Sequence, residues 1–167
     1  MGIKRLSIQK AIEKRFSARK KQDLQSLKRV GLIVDPHAVD VEKLQAKLLS
    51  AFSLSKNQLS SVVFKESKED EKKQEIYFSE KDFNWMGMLK KESQLNDFLA
   101  QDFDLLVNYF SENNLALHLV SASAEAKLKV GLPHEEKRLN DIEIVVKKEE
   151  SELFISELKK YVNIITD

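Results

Sequence analysis

The sequence predicts an α/β fold, a three-layer sandwich around a mainly parallel sheet of five or six strands, Rossmann-like or flavodoxin-like, preceded by a basic N-terminal helix. Short apolar runs rich in Val, Ile and Phe alternate with segments whose apolar residues recur every three or four positions. A chain of 167 residues can also bury one core without metals or disulfides. We therefore expect a basic helical arm over residues 1–28 and a single α/β domain over residues 29–167.

The N-terminal arm carries an excess of positive charge. Residues 1–30 contain ten Lys or Arg and two acidic residues, a net charge of +8, whereas residues 31–167 contain 18 basic and 25 acidic residues, a net charge of −7. The arm has no Pro and is rich in good helix formers, so we predict a helix from about residue 4 to 27. Its narrow apolar stripe, which the basic cluster at 19–21 interrupts, consists of Ile8, Ala11, Ile12 and Phe16.

This charge distribution allows three interpretations of the arm. It binds the phosphates of RNA or the acidic surface of a partner; it lies across its own acidic domain; or it acts at a membrane surface or as a transit peptide. The cations that would contact RNA, a ribonucleoprotein or another acidic partner are Lys4, Arg5, Lys10, Lys14, Arg15, Arg19, Lys20 and Lys21.

The domain begins with a β-α-β pattern. Residues 30–34 form an apolar, β-branched run that a turn at Asp35 and Pro36 closes, as in a buried strand. Asp40 is placed to cap a helix that buries one face, and residues 61–64 form the second strand. A helix between two strands predicts a parallel pair with a right-handed crossover.

The middle of the chain combines a polar loop with a short strand. Residues 65–75 are almost all charged or polar and predict a solvated loop, which the strand at 76–78 follows. Trp85 comes soon afterwards, and we expect its large side chain to fill a place in the core.

Four further elements are predicted before the last helix. They are a helix at about 93–100, a central strand at 103–110, a strand at 127–131 and an amphipathic edge strand at 141–146. Helix remains an alternative for residues 103–110. Asn113 and Asn114 provide a turn and a cap for a helix that begins at Leu115, and Ser151 is predicted to cap the last helix.

In a parallel sheet, ligands bind beyond the carboxyl ends of the strands. The residues that follow the predicted strands and could line such a crevice are Asp35, His37, Asn108, Tyr109, Gly131 and His134. Either histidine beside Asp35 could carry out acid-base chemistry, although single loop histidines are more often inert.

Several other classes of site are excluded or disfavoured. The chain has no Cys, its four Gly residues form no phosphate-binding loop, and its three His residues are not paired at helical spacing. We therefore expect no metal site and no cofactor. No apolar run approaches the roughly 20 residues of a membrane helix, so we expect a cytoplasmic protein without a transmembrane segment.

Several segments resemble a family of small uncharacterised bacterial α/β proteins. They are residues 103–109, residues 115–127 with 130–131, Asp82-Phe83-Asn84-Trp85, and Arg138-Leu139-Asn140-Asp141. The resemblance covers most of residues 28–165, with the arm less clearly shared, and implies a domain without an assigned activity. Gly131, Asn140 and Asp141 belong to the shared pattern.

Together, these observations favour a non-enzymatic interaction protein whose basic helix binds RNA, a ribonucleoprotein or another acidic partner. The alternative is an enzyme that binds a small molecule or nucleotide at the carboxyl ends of the strands.

Overall fold

The computed structural model describes residues 5–20, 22–65 and 75–167. The helices in this part of the chain are α1 (Arg5–Ala18), α2 (Val41–Ala51), α3 (Leu95–Leu99), α4 (Leu115–Ser123) and α5 (Ser151–Thr166). The strands are β1 (Val30–Val34), β2 (Leu59–Phe64), β3 (Ile76–Phe78), β4 (Asp102–Tyr109), β5 (Glu125–Gly131) and β6 (Ile142–Glu143). Most of the predicted polar loop at 65–75 lies outside the described residues.

These strands form one sheet in the order β3-β2-β1-β4-β5-β6, and every neighbouring pair is parallel. The predicted α/β class is confirmed. The strand order is that of the Rossmann fold rather than that of flavodoxin. Strands β2 and β3 are added on one side of β1 and strands β4 to β6 on its other side, so the order of the strands reverses between β1 and β4.

Side-chain caps explain where two of the helices begin. The carboxylate of Asp40 accepts a hydrogen bond from the N–H of Lys43 at the start of α2. The Asn114 side chain accepts from the N–H groups of Ala116 and Leu117 at the start of α4. Each cap satisfies amide groups that have no partner within the helix, and both predicted starts are confirmed. The third predicted cap is wrong: Ser151 is the first residue of α5, the N-cap position is Glu150, and the Ser151 hydroxyl accepts from Lys47 Nζ instead.

The sheet separates two apolar cores. On one face, α1, α3 and α4 pack against side chains that include Ile33, Phe103 and Leu106. On the other face, α2 and α5 pack against side chains that include Leu32 and Leu105. Successive residues of the buried central strands therefore contribute to opposite cores, because successive side chains of a strand point to opposite faces of the sheet.

Helix α1 is shorter than the predicted helix, because it ends at Ala18 and the chain then crosses to the other face of the sheet. Ile8 and Ile12 belong to the first core, whereas Leu24 belongs to the second. The backbone N–H groups of Lys28 and Arg29 donate to the Asp104 carboxylate at 2.8 and 3.0 Å. The crossing therefore runs past the amino end of β4.

The last strand is also shorter than predicted, since β6 comprises two residues of the expected 141–146. Before the strand, the Asp141 carboxylate accepts a hydrogen bond from Arg19. After the strand, the N–H of Val146 donates to the carbonyl of Ile144, and this tight turn directs the chain away from β5. Val145 is left 85% exposed.

Candidate nucleic-acid interface

The cations of α1 divide into an outward set and an inward set. Ile8 and Ile12 face the first core and are buried, while Lys10 and Lys14 lie on the opposite side of the helix and are exposed. The ammonium groups of these two lysines form no ion pair with the residues that the structure describes. They are therefore available to an external anion.

Arg15 and Arg19 are used inside the protein. Arg15 is half-buried and donates from Nη2 to the carbonyl of Gly87 at 3.3 Å, and burial lowers the pKa of its guanidinium. Arg19 contacts both carboxylate oxygens of Asp141, at 2.7 and 2.8 Å. Burial alone would raise the pKa of Asp141, but hydrogen bonds from Arg19 and from the Lys129 N–H hold it below its ordinary value.

Of the other predicted arm residues, Arg5 and Lys20 are exposed. Lys4 and Lys21 lie outside the described residues. The structure thus leaves Arg5, Lys10, Lys14 and Lys20 at the surface and removes Arg15 and Arg19 from the predicted binding set.

A tight turn packs on the side of α1 that carries Arg15. Phe83 and Leu89 form an isolated antiparallel bridge, and residues 83–89, the Trp85 turn, lie between and include them. Gly87 has a φ of +75°, and a Cβ there would lie 3.4 Å from the side chains of Ala11 and Ile8. Glycine is therefore favoured by the left-handed backbone conformation, and the turn lies within van der Waals distance of α1.

Trp85 does not occupy the core, contrary to the sequence-based prediction. Its side chain is 59% exposed, and Phe83 takes the buried position, with 4% exposure. Met86 and Met88 are also exposed, at 43% and 54%. The tip of the Trp85 turn is consequently an apolar surface.

Exposed lysines flank this turn in the sequence. Lys81 precedes it and Lys90 and Lys91 follow it, and all three are exposed. The N–H of Lys90 donates to the carbonyl of Asp82 at 2.8 Å, so the two ends of the turn are adjacent. We call the following group the α1–Trp85 face: Lys10, Lys14, Lys81, Trp85, Met86, Met88, Lys90 and Lys91.

The crevice residues predicted at the ends of β1 and β4 contact other parts of the protein. The buried carboxylate of Asp35 accepts from the backbone N–H of His37 at 3.0 Å, while His37 itself is exposed. Tyr109 is fully buried, donates from its hydroxyl to the carbonyl of Lys148 at 2.6 Å and packs edge-on against Phe154. Burial raises the pKa of Tyr109 to about 12, so its hydroxyl remains protonated.

Asn108 and Gly131 belong to a packed junction between β4 and β5. The Asn108 amide donates to Asn140 Oδ1 at 2.9 Å. A Cβ on Gly131 would come within 2.7 Å of that same oxygen and within 2.5 Å of the Asn108 carbonyl. Glycine is required here because a side chain would displace Asn140.

His134 pairs with His118 rather than with Asp35. Their Nε2 atoms lie 3.1 Å apart, and His134 Nδ1 accepts from the N–H of Glu136. His134 Nε2 therefore carries the proton and is 2.9 Å from the carbonyl oxygen of Glu112. Burial, and then the neighbouring His134, lower the pKa of His118 to about 4, so it is neutral at physiological pH.

A polar cavity of about 670 Å³ lies between α1 and the start of α4. His118 lines it, together with Arg5, Glu13, Glu136 and Arg138. Arg138 contacts the carboxylates of both Glu13 and Glu136, which fixes α1 against the loop after β5.

Two classes of feature are not found in the described residues. No group of three or more His, Asp or Glu side chains is arranged to hold a metal ion. None of the helices in residues 5–20, 22–65 and 75–167 is long and apolar enough to cross a membrane.

Sequence reasoning missed the Trp85 turn, although signals for it were present. Asn84 accepts hydrogen bonds through its side chain from the N–H groups of Met86 and Met88, and Asn followed by Gly three positions later is typical of a turn. Phe83 is the other large apolar residue nearby, and its side chain takes the buried position.

A family model matches residues 4–165, which is nearly the whole chain and includes most of the N-terminal arm. It describes a family of unknown function. No curated protein and no solved structure matches the chain. The chain therefore belongs to the family of unknown function DUF6913.

Proposed function

We propose that this protein is a non-enzymatic RNA-binding protein and that the α1–Trp85 face is its binding surface. The observation that carries the proposal is the position of α1, which buries its apolar stripe, leaves Lys10 and Lys14 exposed and contacts a turn segment whose lysines are also exposed. Such a protein would act in the cytoplasm, where the sequence leads us to expect it.

The charge of this face favours a polyanion. It carries five exposed lysines. The acidic residues nearest to them in sequence are Glu13, whose carboxylate contacts Arg138, and Glu80 and Glu92 at the two ends of the turn segment. Asp82 lies between them, but its carboxylate accepts from Ser79 N–H and Ser93 Oγ and is thereby engaged. Lysines without internal partners release counterions from nucleic acid when they bind its phosphates.

The apolar tip favours RNA over an acidic protein. Exposed aromatic side chains beside basic ones are typical of surfaces that bind unpaired nucleotides, and RNA presents unpaired bases in loops and at ends.

The enzyme alternative has less support. The residues predicted to form its crevice contact one another or the backbone: Asp35 closes its own loop, Tyr109 binds Lys148, and Asn108 binds Asn140. The cavity beside His118 lies elsewhere, under α1.

A matched pair of variants tests the proposal. Replacing Lys10, Lys14, Lys90 and Lys91 by Gln should weaken binding to a single-stranded RNA at least ten-fold and reduce the slope of log affinity against log salt by up to about 3. The control replaces four exposed lysines elsewhere by Gln, with the same loss of charge: Lys43, Lys56, Lys147 and Lys159. Fluorescence anisotropy at about 50 and 200 mM salt measures both.

Three outcomes would contradict the proposal. The first is that the wild-type protein binds neither RNA nor single-stranded DNA at low salt. The second is an equal loss of affinity in both variants, which would mean that the attraction is not localised. The third is a poly-glutamate peptide that binds as tightly as RNA, which would indicate an acidic protein as the partner.

A further inference from the structure

Helix α5 carries apolar residues on two of its sides. Phe154, Leu158 and Val162 are buried in the second core. On another side of the helix, Leu153 and Ile164 are 46% and 73% exposed. A surface helix needs one apolar stripe to pack on its own domain. The exposed residues therefore contribute little to the core and are available to a partner.

The exposed apolar residues form a second stripe. Five residues recur at intervals of three or four positions and so share one side of the helix, which we call the α5 outer stripe: Leu153, Glu157, Lys160, Tyr161 and Ile164. Glu152 lies on a different side, where its carboxylate is 3.6 Å from Lys47 Nζ of α2. The outer stripe is therefore not the side that contacts α2, and it faces solvent.

The order of residues along the outer stripe is self-complementary. Glu157 and Lys160 occupy its centre, with Nζ and Oε1 2.8 Å apart, and both side chains are solvent-accessible. Leu153 lies four residues before Glu157, and Ile164 lies four residues after Lys160. The stripe thus reads apolar, acidic, basic, apolar. A two-fold rotation about its midpoint places apolar on apolar and acid on base.

This pattern identifies the occupant as a second copy of the chain. In an antiparallel pair of α5 helices related by a two-fold axis, Glu157 faces Lys160 of the second copy and Leu153 faces its Ile164. Antiparallel helices also bring opposite ends of their dipoles together. In a parallel pair, each charge would face its own like charge, which is unfavourable.

A lipid surface fits the outer stripe less well. It would cover the apolar ends of the stripe, but it would also bury the Glu157–Lys160 pair without supplying further partners. A second copy satisfies both charges and both apolar ends with the same set of residues.

We infer that the α5 outer stripe is the interface of an antiparallel homodimer. This inference does not rest on RNA binding: α5 packs on the opposite face of the sheet from α1, so the α1–Trp85 faces of both copies stay accessible. The 16 residues of α5 span about 24 Å. One helix offers less than the roughly 800 Å² per partner of a standard interface, so we expect a weak, micromolar dimer.

Sedimentation equilibrium of the full-length protein tests the dimer. Over a range from about 1 to 500 µM, which suits a weak interface, the mass should rise from the 19.3 kDa of one chain towards twice that value. Ile164→Glu should weaken association at least about ten-fold, because it places a carboxylate against Leu153 of the second copy. Leu6→Glu makes the same kind of change at an apolar residue of α1 that is 75% exposed, and it should dimerise like the wild type.

Charge reversal tests the antiparallel register. Glu157→Lys and Lys160→Glu should each weaken their own dimer about ten-fold, because like charges then face each other across the axis. An equimolar mixture of the two variants should form a heterodimer at least as tight as the wild-type dimer, since every facing pair is again of opposite sign. Lys159→Glu makes the same charge change one position off the stripe and should have little effect. The substituted side chains are not buried, so thermal melting should show every variant folded.

Three results would overturn the inference. A monomeric mass at every concentration would show that the outer stripe does not bind a second copy. A wild-type dimer that Ile164→Glu forms equally well would place the interface elsewhere. Two charge variants that stay monomeric when mixed would contradict the antiparallel register. Ile164→Glu should bind RNA as the wild type does, so failure of the dimer and failure of the proposed function are distinguishable.

Discussion

His118 is a buried imidazole whose side chain contacts a second imidazole, that of His134, at 3.1 Å between Nε2 atoms. It is 6% exposed, and its pKa falls to about 4 from the ordinary 6.5. Between these pH values the unfolded chain binds a proton at this residue that the folded protein does not. The folded state therefore loses stability as the pH falls from 6.5 towards 4.

We predict that His118→Gln removes most of this dependence. Between pH 6.5 and 4.5 the wild type should lose roughly 2 kcal/mol of stability that the variant does not lose. Urea unfolding at a series of pH values measures the difference. Hydrogen bonds with Arg138 lower the pKa of Glu136 to about 2. Protonation of Glu136 therefore also destabilises the folded protein, but only as the pH falls below the ordinary Glu pKa of 4.5. Parallel curves for wild type and variant would show that His118 is not held neutral.

Also at the residue scale, the roles of some residues could be predicted from the sequence and those of others could not. Asp40 and Asn114 were identified as helix caps because a cap depends on local backbone geometry. Trp85 was placed in the core and is exposed, because burial depends on whether the space is already filled, and Phe83 fills it. The pairing of His118 with His134 joins a helix to a distant loop and has no local signal.

At the scale of elements, α1 is an integral part of the first core. Ile8 is fully buried and Ile12 is 5% exposed, while Leu6 on the same helix is 75% exposed. The docking also involves Arg138, which lies 5.0 Å from the Phe16 ring and contacts the Glu13 carboxylate. A helix with so narrow a stripe would be marginal alone, and tertiary contacts stabilise it.

We predict that Ile8→Ala lowers the free energy of unfolding of the whole protein by about 2–4 kcal/mol, because it leaves a cavity under α1. Leu6→Ala, which removes a similar volume from an exposed position of the same helix, should change it by less than about 0.5 kcal/mol. Urea denaturation followed by circular dichroism measures both. Equal effects, or a separate early transition in Ile8→Ala alone, would contradict a docked α1.

Element boundaries were predictable where they depend on local pattern. The alternation of apolar strands and amphipathic helices gave the class of fold, because buried parallel strands need continuous apolar runs. The end of α1 at Ala18 was not predictable from helix propensity, since Arg19 leaves the helix to reach Asp141, a contact across 122 positions of sequence. The order of the strands likewise depends on long-range packing.

At the scale of the whole molecule, only some of the basic residues of the arm contact acidic residues of the domain. Arg19 and Asp141 join the arm to the domain, and Asp104 accepts from the backbone at the end of the crossing segment. The exposed lysines of α1 take no part in these contacts. One side of the arm thus contacts its own domain, and the binding of a polyanion by the other side stays a prediction.

The most direct test of RNA binding at this face is to map the bound strand on the protein. Amide resonances of the uniformly ¹⁵N-labelled 167-residue chain are recorded while a single-stranded RNA is added. We predict that the largest shifts occur in residues 84–91 and on the Lys10 and Lys14 side of α1, together with the indole N–H of Trp85. Shifts centred on α5 or on the loop after β1, or no shifts at saturating RNA, would contradict the account.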